Sequence, residues 1–299
     1  MTPLGKTGLN VSRLGAGLAR IGQELTMADV EEAGQVLNTA LDNGINFLDT
    51  AACYDISEEL VGRTVAHRRD EYILATKCGH ATGGTSGKPW SAQTIQDSID
   101  RSLQRMKTDH LDLVQLHSCD MEILEHGEAI EALLNAKRSG KTRFVGFSGD
   151  NEAALWAVRS GFFDTLQTSF NVVDQQARIK LFEPAKSRGM GIIIKRPVAN
   201  GAWGVERSPY GYADEYFSRA KVVDEMGPIV GGPDDRMLAA MGFVLAHPEV
   251  DTAIVGTRNP THMRRNVEEV ETKLPVSIEF VEELHRRFDM VGGQWAQLM

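Results

Sequence analysis

The chain has 299 residues, 42% of them hydrophobic, and a formal net charge of -9 with a pI near 5.4. That balance excludes a general nucleic-acid or anionic-membrane surface, which needs a basic face. The length suffices for one large core, so a single α/β domain over 1–299 is expected. The opening stretch MTPLGKTGLNVS has no apolar core of signal-peptide length, and no apolar run approaches the ~20 residues of a membrane span, which reads as a cytoplasmic protein. Three cysteines without paired spacing read as reduced thiols rather than a disulfide framework.

In chain order, residues 2 to 12 read as a small hairpin turning at Lys6-Thr7-Gly8, and Arg13 to Gly17 as a first short strand. Residues 26 to 43 carry Val30, Ala33, Val36, Leu37, Ala40 and Leu41 at helical spacing, with Gly44 as a stop. The apolar run Asn46-Phe47-Leu48 then closes on Asp49, and after a polar loop with Tyr54 a helix opens at Ser57-Glu58-Glu59, with Ser57 as N-cap. Further pairs follow: strand Tyr72 to Thr76 with helix 91 to 106, strand Leu111 to Leu116 with helix Glu122 to Ser139, and strand Thr142 to Phe147 with helix Glu152 to Arg159. Thr165 to Ser169 precedes a helix over Ile179 to Arg188, and the β-branched run Gly191 to Ile194 leads through a long loop to a helix near 234 to 246. Thr252 to Val255 and Thr261 to Val270 form the last pair, and residues 277 to 290 an additional helix.

Eight strand–helix units, with strands too apolar to leave a face in water, imply a parallel sheet covered by helices. The natural closure is a (β/α)8 TIM barrel, here with an N-terminal β-hairpin and an extra C-terminal helix. A doubly wound sheet would carry a glycine fingerprint after its first strand, and Gly15-Ala16-Gly17-Leu18-Ala19-Arg20 puts arginine where the third glycine belongs. Gly83 to Lys88 is one residue short of a phosphate-binding loop and ends in Pro89, so it reads as an active-site loop.

In a barrel, chemistry belongs just past the carboxyl ends of the strands. Those positions hold Asp49 and Tyr54, Lys77 after Ala75-Thr76, and His117 after Gln115-Leu116. A lysine held by an aspartate stays cationic, and its proximity to a tyrosine would lower the phenol from its usual ~10 towards working pH, making a general acid. The histidine adds a donor able to orient and polarise a carbonyl.

These residues resemble the aldo-keto reductase superfamily, and the likeness runs over essentially the whole chain. It is carried by Leu4-Gly5-Lys6-Thr7-Gly8-Leu9, Asn46-Phe47-Leu48-Asp49-Thr50-Ala51 with Tyr54 and Ser57-Glu58, Ala75-Thr76-Lys77, Leu116-His117, Gly146-Phe147-Ser148, Gln167 with Asn171, and Gly256-Thr257-Arg258 leading to Asn266. The resemblance implies a barrel that binds a nicotinamide dinucleotide and reduces a small-molecule carbonyl or sugar, with Asp49, Tyr54, Lys77 and His117 as catalytic tetrad. It implies Ser148 and Gln167 at the carboxamide, Gly17, Leu18 and Asp49 beside the cofactor, and Lys195, Arg196, Pro197 and Gly201 in a loop around the pyrophosphate. Gly256, Thr257, Arg258 and Asn266 would take the adenosine end. Thr257, free amides at the helix start, Arg258 and His262 can surround a 2′-phosphate, which reads as NADP(H) preferred, with NAD(H) the alternative.

Three positions depart from the family's pattern. Gly149-Asp150 follow Ser148 where an asparagine is common; Lys195-Arg196 stand where an aromatic residue usually stacks on the nicotinamide, with the planar Arg196 guanidinium a candidate to stack instead; and Arg265 precedes Asn266 where a glutamate is usual. Two other classes stay open on the same fold. One is a redox-sensing regulatory protein with weak turnover. The other is a metal-dependent hydrolase using Cys53, Cys78 and Cys119, expected together at the barrel mouth, with His80 and His117; no ligand pair has close spacing, and no metal ligand is assigned. Trp90, Trp203, Tyr210, Tyr212, Tyr216 and Phe217 are candidates to line a substrate pocket.

Overall fold

The computed structural model describes residues 1–82 and 85–298, so Gly83 and Gly84 of the glycine-rich loop lie outside the described residues. Strands β1 (Thr2–Pro3) and β2 (Asn10–Val11) form the antiparallel hairpin. They are followed by β3 (Leu14–Gly17), β4 (Phe47–Asp49), β5 (Ile73–Cys78), β6 (Leu111–His117), β7 (Thr142–Ser148), β8 (Thr165–Ser169), β9 (Gly191–Lys195) and β10 (Thr252–Val255). These eight strands are parallel and close in the order β10-β3-β4-β5-β6-β7-β8-β9, with helices between them. The expected (β/α)8 barrel is therefore the observed one.

Alternation along the strands divides the interior into two cores. Phe47, Ile73, Ala75, Leu113 and Ile193 point into the barrel, where Leu4, Leu9 and Val11 of the hairpin join them and close its lower end. The neighbouring residues Leu48, Leu74, Val114, Leu166, Ile192 and Ile194 face the helix layer. Gly5 sits at the seam with φ of +52°, and a Cβ there would come within 2.3 Å of the Gly191 nitrogen, so only glycine lets the hairpin lie against β9.

Several elements differ from their sequence reading. The helix expected over 122–139 is two, Met121–His126 and Glu128–Arg138, parted at Gly127 with φ of +80°. The one expected over 179–188 is likewise Gln176–Lys180 and Phe182–Ser187. A helix at Asp214–Asp224 occupies part of what reads as a long loop; its buried face is Tyr216, Arg219, Ala220 and Val223, so Tyr216 is a packing residue and not pocket lining. Ser57 is not an N-cap: Ile56 holds that position, and Ser57 Oγ donates to the Leu18 carbonyl at 3.2 Å and accepts from Thr50 Oγ1 at 2.7 Å. It thereby ties the Tyr54 loop to the end of β3. No helix among the described residues is long and apolar enough to cross a membrane.

Phe47 is fully buried at the barrel axis. Phe47→Ala should therefore cost about 3–5 kcal/mol, read from the shift of the urea midpoint. A loss below about 1 kcal/mol would mean that the axis can collapse around the void.

Candidate active site

The upper layer of the barrel is polar where the lower layer is apolar. Lys77 follows Ile73 and Ala75 on the inward face of β5, as His117 and Gln115 follow Leu113 on β6. Lys77 Nζ lies 2.5 Å from Asp49 Oδ2, both side chains being almost wholly buried, and donates to the Thr50 carbonyl at 2.9 Å. Asp49 Oδ1 accepts from Gln167 Nε2 at 2.8 Å and from Gln115 Nε2 at 3.3 Å, and Ser148 Oγ donates to Gln167 Oε1 at 2.8 Å. One network thus joins the ends of β4, β5, β6, β7 and β8. Gln115 was missed as a member; its signal is a lone amide in an apolar strand, two residues before His117.

Tyr54 enters from the loop after β4. Lys77 Nζ is 4.9 Å from its ring centroid, and the His117 ring stands perpendicular to it at 5.8 Å between centroids. Burial alone would push the Lys77 ammonium down, yet the charge of Asp49 and its interactions with Asp49 and Tyr54 lift it above its ordinary value. The Tyr54 phenol moves the other way from the sequence expectation: its own burial raises it, and Lys77 opposes that without overcoming it. The hydroxyl is accordingly held un-ionised. His117 is held well below its ordinary value by burial and by the cations Lys77, Lys195 and Arg196, together with His80, so it is a neutral imidazole.

The cysteines do not share one face. Cys78 comes one residue after Lys77, and strand alternation turns it away from the barrel axis into the helix-facing core, where Cys119 also lies. Burial pushes both thiols up, Cys119 to about 12. Only Cys53 stays partly open, with its Sγ 3.3 Å from His117 Nδ1.

The positions that depart from the family's pattern meet each other. Asp150 Oδ2 lies 2.7 Å from Lys195 Nζ in a second buried ion pair, and Asp150 Oδ1 accepts from the Ser169 amide at 2.7 Å and from Thr168 Oγ1 at 2.9 Å. Arg196 does not stand free to stack: its guanidinium donates to Ser169 Oγ at 3.2 Å, to the Leu298 carbonyl and to the Tyr212 hydroxyl. Gln297 completes this enclosure by donating to Thr168 Oγ1 at 3.0 Å and to the Ser169 carbonyl at 2.9 Å. Arg265, the third departure, pairs with Asp235 and with Glu269 at 3.0 Å.

At the end of β3, the Leu18 amide donates to the Asp49 carbonyl at 2.9 Å, and a Cβ on Gly256 would lie 2.9 Å from the Gly17 carbonyl oxygen, so the first and last strand loops touch. Pro197 is buried, whereas Gly201 is exposed at the end of a stretch in which Ala199, Asn200 and Gly201 all have positive φ. The helix Pro260–Lys273 does not present free amides, as the sequence reading supposed, because Asn259 Oδ1 already accepts from Thr261 N at 2.8 Å and from His262 N at 3.4 Å. Thr257 Oγ1 takes the Asn259 amide at 3.1 Å. Arg258 is exposed with Glu24 3.6 Å away, His262 is exposed, and Asn266 is half-buried. The structure therefore gathers Asp49, Tyr54, Lys77, His117, Ser148 and Gln167 into one cluster, with Gly17 and Leu18 at the end of β3, Lys195, Arg196, Pro197 and Gly201 at and beyond the end of β9, and Gly256, Thr257, Arg258, His262 and Asn266 in the loop and helix after β10.

A barrel with a buried lysine–aspartate pair, a tyrosine and a histidine at the carboxyl ends of adjacent strands defines an oxidoreductase of the aldo-keto type. The model of the aldo/keto reductase family matches residues 13–286, and the chain belongs to that family. An L-galactose dehydrogenase of Arabidopsis thaliana is 30% identical over 278 residues, covering 88% of this chain and 86% of the relative. A 6-dehydroglucose reductase of Novosphingobium aromaticivorans is 30% identical over 285 residues, covering 90% of each. Among solved structures, the holo form of an aldo-keto reductase from Bacillus halodurans superposes with a TM-score of 0.79 at 28% identity, over 95% of this chain and 94% of that one.

Lys77→Met leaves Asp49 buried without its countercharge, and should destabilise the fold by about 3–5 kcal/mol in urea unfolding. The double variant Lys77→Met/Asp49→Asn should recover part of that stability. Additive losses would show that the pair is not coupled.

Proposed function

We propose that the chain interconverts a small carbonyl compound, an aldehyde, ketone or aldose, and its alcohol, using NADP(H) in preference to NAD(H). The observation that carries this reading is the un-ionised Tyr54 beside the Lys77–Asp49 pair and the neutral His117, all at one end of the barrel. The sugar names of two relatives favour an aldose or a related polyol within the class.

The residues fit a nicotinamide dinucleotide. Among the described residues Asn200 Nδ2 is a buried donor without a hydrogen-bond partner, in a loop where the amides of Ala199, Gly201 and Ala202 are taken by backbone carbonyls, so the donor offered to an anion there is the Asn200 side chain. Asn200, with Pro197 and Gly201, would hold the pyrophosphate, Ser148 and Gln167 the carboxamide, and Arg258 and His262 the 2′-phosphate. Thr257 and Asn266 would flank the adenosine. When bound, the cofactor supplies or accepts a hydride at the carbonyl carbon.

This chain's own residues manage the proton. Tyr54 Oη donates to the carbonyl oxygen as negative charge develops there, and takes the proton back in the oxidative direction. The Lys77 ammonium, fixed by Asp49, stabilises the tyrosinate left behind, so its interaction is stronger after proton transfer than before it. Neutral His117 donates an N–H to the same oxygen and so aims the carbonyl at Tyr54.

Removing the proton donor alone should separate chemistry from binding. Tyr54→Phe is expected to lower the reductive kcat by about 10²–10⁴-fold while NADPH affinity, read by fluorescence titration, holds. Turnover near that of the wild type, with hydride transfer rate-limiting, would remove Tyr54 from its role. Because Tyr54 is raised and His117 lowered, neither titrates near neutrality, and reductive kcat/KM should be flat between about pH 7 and 9. An inflection there that vanished in His117→Gln would contradict the neutral imidazole.

Cofactor choice rests on Arg258. Its Ala variant should lose about ten- to a hundred-fold in NADPH affinity, roughly 1.5–3 kcal/mol, with NADH affinity scarcely changed. Equal losses for both cofactors, or a wild type that already prefers NADH, would defeat the NADP(H) assignment.

A further inference from the structure

Among the described residues, Cys53, His80 and His117 form a cluster that the carbonyl chemistry does not use as a unit: one ligand atom from each lies within 4.8 Å of the other two. They come from three separate places in the chain, the loops after β4 and β5 and the end of β6, so only closure of the barrel brings them together. We propose that this triad is a binding site for a soft divalent cation, zinc above all, and that its occupation shuts off turnover at the barrel mouth.

The geometry is close to what the ion requires. A tetrahedral zinc with bonds of about 2.0–2.3 Å to nitrogen and sulfur holds its ligand atoms roughly 3.3–3.8 Å apart. Cys53 Sγ and His117 Nδ1 are already 3.3 Å apart, and the His80 and His117 rings stand 4.9 Å apart between centroids. The Trp90 ring also packs on His80, at 5.0 Å between centroids. All three residues are half-buried, and a tetrahedral ion held by them would complete its coordination with water. One thiolate with two imidazoles is the donor set that selects zinc over magnesium or calcium.

Electrostatics sets the terms of binding. A neutral imidazole ligates without losing a proton, whereas the bond from Cys53 Sγ to the metal forms as the S–H bond breaks and one proton passes to solvent. Lys77 and Lys195 are each matched by a buried carboxylate, Asp49 and Asp150, which blunts their repulsion of the incoming ion. Once bound, the ion would take up a lone pair of His117 and fix its ring, 5.8 Å between centroids from Tyr54, so that His117 is no longer free to aim the carbonyl.

Metal binding rests on the triad alone, whereas the inhibitory half rests on the proposed carbonyl chemistry, and the two are read separately. Purified, chelator-treated protein is titrated with Co²⁺ and followed by absorption, then competed with Zn²⁺. The expected result is one ion per chain, with visible bands of tetrahedral cobalt and a near-ultraviolet thiolate-to-cobalt band. Cys53→Ser should abolish the thiolate band, and His80→Ala should keep it while weakening Zn²⁺ binding; loss of a direct ligand should cost at least the roughly 10–100-fold typical of outer-shell partners. No thiolate band in the wild type, or one that survives in Cys53→Ser, overturns the site. With carbonyl substrate and NADPH, wild-type turnover should fall in proportion to occupancy and return with a chelator, while His80→Ala, scaled to its own metal-free rate, should need correspondingly more Zn²⁺. Full occupancy with undiminished turnover overturns the inhibitory half. A protein that binds cobalt as described yet turns over no carbonyl compound with either cofactor leaves the site standing and brings down the catalytic reading.

Discussion

The buried ion pair between Lys77 and Asp49 is the constraint that the top of the barrel is built to satisfy. Moving an ammonium and a carboxylate out of water costs several kcal/mol each, and their mutual attraction offsets this only if the remaining donors and acceptors are also met. Here they are met from neighbouring strands: the Thr50 carbonyl takes a second lysine proton, and the Gln167 and Gln115 amides donate to Asp49. Gln167 is held in turn by Ser148. That requirement explains why strands so apolar lower down carry Gln115, Ser148 and Gln167 near their ends. It also makes the site rigid before any ligand arrives, since moving one member would strand a buried charge.

Much of this was legible in the chain because the signals are local and repeated. Alternation of apolar runs with helical periodicities fixes eight units, and Thr165–Ser169 and Thr252–Val255 are bounded just as read. The pairing of Lys77 with Asp49 was legible because a charge at the end of an apolar run is too costly to be left without a partner. The misreadings share another cause, a short-range competition that composition cannot decide. Gly127 looks tolerable within one long helix, but its backbone turns left-handed there and parts the run in two. Asn259 claims the amides that an anion was expected to find, because a capping side chain is always at hand and a ligand is not. Cys78 was grouped with Lys77 by nearness in sequence, although adjacent residues of a strand must face opposite ways.

What sequence could not show is that two apparent defects are partners. An acid after Ser148-Gly149 and a lysine at the end of β9 each look like the loss of a cofactor contact. In the fold they neutralise one another at 2.7 Å, and the Ser169 amide and Thr168 hydroxyl complete the carboxylate's shell. Removing either residue would leave the other a buried charge without its ion-pair partner, which is strongly destabilising.

The second pair also reaches the chemistry. Lys195 and Arg196 add to Lys77 in opposing protonation of His117, whose neutrality suits it to orient a carbonyl rather than to give up a proton to it. Burial meanwhile keeps the Tyr54 phenol protonated despite the ammonium beside it. The two groups at the mouth are therefore pushed in opposite directions, the phenol to keep its proton and the imidazole to remain uncharged. This separation supports the proposed division of roles, with the acid at Tyr54 and the aiming at His117.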